Sequence, residues 1–218
     1  FQDLGSAPAT MEAGRAADCY GCIPGHAIMV ADAEQAYVQA KMKGNPTYVA
    51  LPPEAWPKEW HGKFHRPVVR MDYALYGHPD SGTHWENHCD ENVKAVGFDP
   101  VGPSWPSCYY HPELKLLLVI YVDDFKLVGP KENLAKGWKM LRARLSIEEP
   151  KTVDGSCECF YLGCKLDPGT VQLPDGKVAT SLGYNMESYL RNSVKKYLDL
   201  AGPGFKLRRA ETPFLPED

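Results

Sequence analysis

Hydrophobic residues are most concentrated in the middle of the chain. Seven apolar or aromatic residues run from Leu116 to Val122, two adjacent Asp residues follow, and a second apolar run ends at Gly129. Such runs are typical of strands buried on both faces, and two of them joined at a tight acidic step predict a β-hairpin. Turn hydrogen bonding explains one Asp at this step, whereas two like charges raise each other's pKa unless a cation lies between them. The pattern alone leaves a simple turn and a metal site both open.

Shorter apolar segments predict further strands, at residues 27–31, 48–51, 68–71, 159–166 and 170–173. The first of these strands leads directly into Asp32, so a second buried strand also ends at a carboxylate. Proline and aromatic residues dominate 98–112, which predicts an irregular loop there. Two strands that lie side by side in one sheet would bring Asp32 and Asp123 within reach of one metal pair.

Helical patterns predict four helices, at residues 9–20, 83–96, 131–145 and 186–200, and a short helix-compatible stretch at 33–41. Thr10 and Ser81 are candidate N-caps of the first two helices. The third helix has the clearest amphipathic pattern, with Leu134, Trp138 and Leu141 in its apolar stripe.

The composition is that of an ordinary globular protein, because 44% of the 218 residues are hydrophobic and 24% are charged. No run of 18 apolar residues occurs, so we expect no membrane-spanning helix. The first residues, Phe1 to Leu4, are neither an initiator Met nor a signal peptide. We therefore expect a segment of a longer chain, such as a polyprotein.

The cysteines and charges add weaker constraints. Seven scattered cysteines do not make a disulfide framework, which favours a reducing compartment. Cys19, Cys22 and His26 have partial zinc spacing without a second ligand pair, so buried thiols are the preferred interpretation there. The net charge of −4 argues mildly against nucleic acid, yet residues 1–125 hold 9 Lys/Arg and 16 Asp/Glu whereas residues 126–218 hold 15 and 12. A cation-binding part and a phosphate-binding part would produce this asymmetry, as would surface scatter.

The carboxylates suggest a specific chemistry. Asp32, Asp123 and Asp124 would together suit Mg²⁺, which prefers oxygen ligands and is held by few carboxylates together with substrate phosphates. Two such ions would activate an attacking hydroxyl and stabilise the leaving oxygen, as nucleotidyl transfer requires. Tyr37 follows Asp32 at a short distance, and a Gly/Ser loop precedes the second helix.

Four motifs follow one another along the chain: Asp32–Tyr37, with Asp-x-x-x-Ala-Tyr; Ala74–Gly77, followed by Ser81 and Trp85; Leu117–Asp124, which ends in Tyr-Val-Asp-Asp; and Tyr161–Gly163, with a terminal Thr212-Pro213 that also fits. Their order and spacing resemble those of reverse transcriptases, more specifically those of copia-type LTR retrotransposons. The resemblance covers most of the chain and implies an α+β fold. The expected architecture is a polymerase palm, an antiparallel sheet backed by helices, with partial fingers and the start of a thumb or connection.

The resemblance also implies domain boundaries. Residues 1–27 would be partial fingers, and 28–166 would be the palm, with a finger insertion around 44–72. Residues 167–218 would form a C-terminal hairpin, a helix and an extended tail at the start of the thumb or connection.

Carried over residue by residue, the resemblance implies that Asp32, Asp123 and Asp124 are the catalytic ligands of two Mg²⁺ ions, with Mn²⁺ as a substitute. Tyr37 would exclude a ribose 2′-hydroxyl and so select deoxynucleotides. Further contacts are expected with the nucleotide, from Arg15, Ala36, Ser81 and Gly82, and with the primer or template, from Tyr121, Phe160, Tyr161, Leu162 and Gly163. Lys151 is the candidate proton donor to pyrophosphate. Plain packing is the competing interpretation for Tyr37 and for the 160–163 hairpin.

The implied activity is extension of a DNA strand on an RNA or DNA template-primer from dNTPs. The expected partners include the integrase and RNase H of the same polyprotein, and no membrane. The expected location is intracellular, in the cytoplasm within a virus-like particle or in the nucleus.

Departures from the family pattern keep two alternatives open. His78-Pro79-Asp80 stands where copia-type sequences have Leu-Lys-Gln, and Thr83 stands where they have Arg. A catalytically inactive or domesticated domain that binds nucleic acid or a protein is therefore a second hypothesis. Another palm-type enzyme, such as a cyclase or primase, is a third.

Overall fold

The computed structural model describes residues 7–208. The α-helices in this range are α1 Met11–Gly21, α2 Ala36–Gln39, α3 Ser81–Lys94, α4 Lys131–Arg142 and α5 Glu187–Ala201. The strands are β1 His26–Asp32, β2 Tyr48–Ala50, β3 Val68–Arg70, β4 Asp99–Gly102, β5 Trp105–His111, β6 Leu116–Tyr121, β7 Asp124–Pro130, β8 Lys151–Thr152, β9 Phe160–Tyr161, β10 Cys164–Gln172 and β11 Val178–Asn185. In this described range, no helix is long and apolar enough to cross a membrane.

Six strands form the central sheet, in the order β4-β5-β6-β7-β1-β8, and all neighbours are antiparallel. The predicted hairpin is β6–β7, and β1 lies directly beside it. A second antiparallel sheet has the order β11-β10-β9, and β2 pairs with β3. The chain is therefore a mixed α and β protein built on antiparallel sheets.

Helices α3 and α4 cover one face of the central sheet. Trp85 of α3 and Trp138 of α4 are buried in the main core together with Leu118, Phe125 and Leu127 of the β6–β7 hairpin. Each large apolar side chain of this kind contributes about 1.5–3 kcal/mol when it is removed from water. The main core thus holds the β6–β7 hairpin against helices α3 and α4.

Helix α1 lies on the opposite face of the sheet. Ala13 and Ala17 pack with Val128 of β7 in a second core cluster. Because side chains alternate between the two faces of a strand, Asp124 and Lys126 point to the same face as Val128. The β7 carboxylate therefore lies on the α1 side of the sheet, away from α3 and α4.

The helix starts follow the sequence in one case and depart from it in another. The Thr10 side chain accepts a hydrogen bond from the Ala13 backbone N–H at 3.2 Å, which confirms the predicted N-cap of α1. Helix α3 begins at Ser81, with Asp80 in the cap position, so the prediction of a Ser81 cap is wrong.

The predicted loop at 98–112 is also wrong, because β4 and β5 form there. Proline is tolerated in β4 because that strand lies at the edge of the sheet, and its register shifts between Pro100 and Gly102.

Farther along, 170–173 is not a separate strand. Strand β10 continues through this region and pairs with β11, which the apolar pattern did not predict because most of its residues are exposed or half-buried.

All seven cysteines are free thiols. Cys19 is exposed and Cys22 is half-buried, so the interpretation of both as buried thiols is wrong for Cys19. Among residues 7–208, His26 belongs to no group of three side chains that could hold a metal ion, and its Nδ1 lies 2.9 Å from the Tyr20 carbonyl oxygen.

Candidate active site

Two of the predicted carboxylates are direct neighbours. Strands β1 and β7 pair so that Asp32 lies opposite Asp124, and β6 and β7 pair so that Tyr121 lies opposite Asp124. Directly opposed residues of antiparallel strands present their side chains on the same face. The predicted residues Asp32, Asp124 and Tyr121 therefore lie in one row at the end of the central sheet.

The electrostatics of this row are unfavourable without a cation. The pKa of Asp124 is raised to about 6, mainly by burial and also by the charges of Asp32 and Asp123. The backbone N–H of Leu162 opposes this rise. The site thus holds more negative charge than its own donors compensate.

The third carboxylate is less closely placed. Val122 and Asp123 form the turn between β6 and β7, and Asp123 is exposed. Within residues 7–208, no three His, Cys, Asp or Glu side chains form a cluster that could hold a metal ion by themselves. The described protein groups therefore provide a carboxylate pair with a third carboxylate at the turn.

The backbone around the carboxylates is held at several points. Val122 has φ 56°, in the left-handed region that a β-branched residue rarely adopts, at a cost of roughly 1–3 kcal/mol. Its carbonyl oxygen accepts a hydrogen bond from the indole N–H of buried Trp85 at 2.6 Å. The Asp123 carbonyl accepts one from the Ala33 N–H at 2.7 Å. These bonds hold a strained turn against both β1 and α3.

Tyr37 lies next to this turn. Its half-buried side chain packs against the main core, and its ring centroid is 4.5 Å from that of Tyr76. Tyr37, Gly82, Trp85 and Val122 also line a cavity of about 70 Å³. Burial raises the pKa of the Tyr76 hydroxyl, and the charge of nearby Asp123 adds to the rise. The structure thus brings Tyr37 and Gly82 to the turn.

Two other predicted nucleotide-binding residues point inward. Ala36 is 1% exposed and belongs to the main core. Ser81 is also 1% exposed, and its hydroxyl donates to the Leu75 carbonyl at 2.7 Å and accepts from the Leu75 N–H at 3.1 Å. The Ser81 hydroxyl therefore closes the loop before α3.

The predicted primer-binding hairpin does reach the carboxylates. Leu162 and Gly163 join β9 to β10 with φ values of 51° and 74°, as in a two-residue type I′ turn. The Leu162 N–H lowers the pKa of Asp124, which places the turn of this hairpin near that carboxylate. Phe160 is 50% exposed, whereas Tyr161 is buried.

Lys151 and Arg15 lie on the same side of the sheet as the carboxylates. Lys151 pairs with Val30 across β8 and β1, and Val30 is two residues before Asp32 on the same face. Arg15 is exposed on α1 and lines a cavity of about 300 Å³ with Leu162.

Sequence reasoning missed a group of polar residues beneath the β9–β10 hairpin. It is formed by Asp18, Lys126 and Tyr184. Lys126 gave a signal, since it stands within an apolar run that is otherwise typical of a buried strand. A buried lysine is rarely found without a partner. Neither Asp18 nor Tyr184 carried a comparable signal. The Thr212-Pro213 motif lies outside the described residues.

Comparison with known proteins gives only weak similarity. No protein-family model matches the chain, and no curated protein matches it. Among solved structures, the chain is similar to telomerase from Candida albicans in complex with the TWJ fragment of telomeric RNA, with a TM-score of 0.36 and 13% sequence identity. The match covers 77% of this chain but only 34% of that chain. A TM-score this low assigns neither a family nor a function.

Proposed function

We propose that the chain is the reverse-transcriptase segment of a copia-type retrotransposon polyprotein, an RNA-directed DNA polymerase that adds deoxynucleotides to a primer 3′ end. The observation that carries the proposal is the direct pairing of Asp32 with Asp124 at the end of an antiparallel sheet. A turn-forming Asp needs no partner on a distant strand, whereas two-metal nucleotidyl transfer needs carboxylates that converge. The motifs around both residues support the same function.

The donor set fits hard divalent cations. Two adjacent carboxylates with uncompensated charge attract Mg²⁺ or Mn²⁺, which complete their coordination with water and substrate phosphates. Asp32, Asp123 and Asp124 would hold two such ions together with the phosphates of the incoming dNTP. When bound, the ions supply Lewis-acid stabilisation of the charge that develops in phosphoryl transfer.

Other residues of the chain would orient the substrates. Tyr37, braced by Tyr76, would occupy the space of a ribose 2′-hydroxyl and favour dNTPs. The Leu162–Gly163 turn would lie beside the primer end. Lys151, on the carboxylate face of the sheet, would donate a proton to pyrophosphate. In this mechanism the central sheet is the polymerase palm.

Primer extension tests the proposal directly. The chain and a version lengthened upstream are each incubated with dNTPs and Mg²⁺ or Mn²⁺ on primed RNA and DNA templates. We expect extension that Asp123→Asn abolishes without loss of the fold. Asp99→Asn changes an exposed Asp on edge strand β4, far from the carboxylate row in strand order, and should extend normally. Extension that survives in Asp123→Asn contradicts the assignment.

A second candidate function is a non-catalytic domain that binds nucleic acid. It is favoured by Asp80 at the start of α3, where a negative charge opposes triphosphate binding, and by the lack of a ready three-group metal cluster among the described residues 7–208. Fluorescence anisotropy with labelled primer–template separates the two functions. Binding without any incorporation under Mg²⁺ or Mn²⁺ supports the second candidate.

A further inference from the structure

A polar cluster with a buried lysine lies beneath the β9–β10 hairpin. Lys126 of β7 is 1% exposed, and its Nζ donates to both carboxylate oxygens of Asp18 on α1, at 2.8 and 2.9 Å. The same Nζ lies 3.9 Å from the ring centroid of Tyr161 on β9. The Tyr184 hydroxyl on β11 donates to Asp18 at 2.6 Å. These four side chains, the Lys126 cluster, join four elements of the fold.

The cluster adjoins the carboxylate pair along two paths. On β7, Lys126 is two residues after Asp124 and shares its face of the sheet. On the hairpin, Lys126 Nζ contacts the Tyr161 ring, and Tyr161 directly precedes Leu162, whose backbone N–H lowers the pKa of Asp124. A shift of the Tyr161 ring would therefore move the Leu162 N–H relative to Asp124.

Stability does not explain why this cluster is polar. Removing an ion pair from water costs about as much as the attraction returns, and well-packed apolar replacements are often neutral or stabilising. Apolar residues already surround the hairpin, because Val30, Cys159 and Leu166 pack with Tyr161 in a small core. An ion pair and a cation–π contact fix the relative orientation of the side chains in such a core, which apolar contacts do less strictly.

This constraint matters because β9, which carries Tyr161, is weakly held by the backbone, although β10 pairs with β11 over eight residue pairs. Strand β9 has two residues and, among residues 7–208, pairs with β10 alone, at Phe160 and Tyr161. In the described part of the chain, the sheet of β9, β10 and β11 has no strand pairing with the central sheet. Side chains must therefore set the position of the Leu162–Gly163 turn over the carboxylates.

We propose that Lys126, held by Asp18, is a positioning residue that fixes the Tyr161 ring and thereby holds the Leu162–Gly163 turn over Asp124. The catalytic consequence rests on the polymerase function proposed above. The positioning itself does not, and it can be measured without any activity.

The test uses an apolar pair variant, Lys126→Met with Asp18→Leu, which leaves no buried charge unpaired. Hydrogen–deuterium exchange is measured by mass spectrometry on peptides spanning 158–166 and on those of β1 and β7. We expect exchange at the Leu162–Gly163 turn to rise by at least about tenfold while the β1–β7 ladder stays protected. In single-nucleotide incorporation, we expect kcat to fall at least about tenfold with the KM for dNTP within about twofold, because the turn and not the nucleotide site has moved.

The matched control removes the exposed ion pair of the same hairpin, with Glu158→Gln and Lys165→Gln, whose side chains lie 3.0 Å apart. It should change neither readout. If the apolar pair variant does not fold, Tyr161→Leu removes the ring and leaves the ion pair, and the same exchange increase is expected. Unchanged exchange at the turn in the folded variant overturns the positioning role. An unchanged kcat with faster exchange overturns the catalytic consequence of the positioning, whereas a wild-type chain without incorporation refutes only the polymerase function.

Discussion

Asp32 and Asp124 are direct cross-strand partners on β1 and β7, at the end of the central sheet where the β6–β7 turn begins. The two carboxylates come from strands that are far apart in sequence, and the ladder between them fixes their distance. Like charges held at such a distance repel unless a proton or a cation lies between them. Proton and metal binding should therefore compete at this pair.

Metal-free stability should depend on pH through Asp124. Its pKa is raised from 3.8 to about 6, so the folded chain binds this proton more tightly than the unfolded chain does. The contribution is fully present below about pH 4 and is lost as the pH rises through about 6. We expect a loss of about 2 kcal/mol, after a discount for the partial exposure of the side chain.

Urea denaturation in EDTA, from about pH 4 to about pH 7, measures this dependence. Asp124→Asn should remove the contribution, while the control Asp99→Asn, which changes an exposed Asp of β4, should retain it. Identical pH profiles for the wild-type chain and Asp124→Asn would show that burial and the neighbouring charges do not raise the pKa of Asp124.

The carboxylate row was predictable because each of its strands has a clear apolar pattern in the sequence. The β6–β7 hairpin shows in the sequence as two apolar runs joined by an acidic step. Asp32 follows another apolar run. The family resemblance then named the same residues. The placement of β1 beside the hairpin was an expectation that the sheet order confirms, but the residue opposite Asp32 is Asp124 and not Asp123.

The supporting contacts were not predictable, because they depend on tertiary packing. Nothing in the sequence pairs Lys126 with Asp18, which is 108 positions away. Ser81 lies in a Gly/Ser loop of a kind that often faces a ligand, yet its hydroxyl turns inward to Leu75. Strand β5 was missed because its proline and aromatic residues suggested a loop and its buried and exposed positions do not alternate regularly.

Trp85 should position the carboxylate turn through its indole N–H. Trp85→Phe keeps most of the buried ring but removes the 2.6 Å hydrogen bond to the Val122 carbonyl, which leaves a strained turn with one support fewer. We expect a loss of about 1–2 kcal/mol in the free energy of unfolding and a lower kcat for incorporation. Trp105→Phe, at a 38% exposed position of β5, should change neither quantity. A Trp85→Phe variant with wild-type stability and kcat would exclude this role.

Tyr37 should discriminate between sugars. Tyr37→Val removes the ring that packs against Tyr76 and opens space beside the turn. The ratio of rNTP to dNTP incorporation should rise by at least about tenfold, since a steric block worth a few kcal/mol is lost. Tyr48→Val, at an exposed position of β2, serves as the matched control. An unchanged ratio would favour the interpretation of Tyr37 as a packing residue, or another palm-type enzyme.

Binding of Mn²⁺ tests most directly whether Asp32 and Asp124 form a divalent-cation site. Electron paramagnetic resonance reports free Mn²⁺ as the ion is titrated into the chain with primer–template and a dNTP, on a primer that lacks its 3′-hydroxyl. The account predicts tight binding near pH 7.5 that weakens as the pH falls below about 6, where Asp124 becomes protonated. Asp32→Asn and Asp124→Asn should each lose this binding, whereas Asp99→Asn should keep it. Equal Mn²⁺ binding by the wild-type chain and Asp124→Asn would contradict the account.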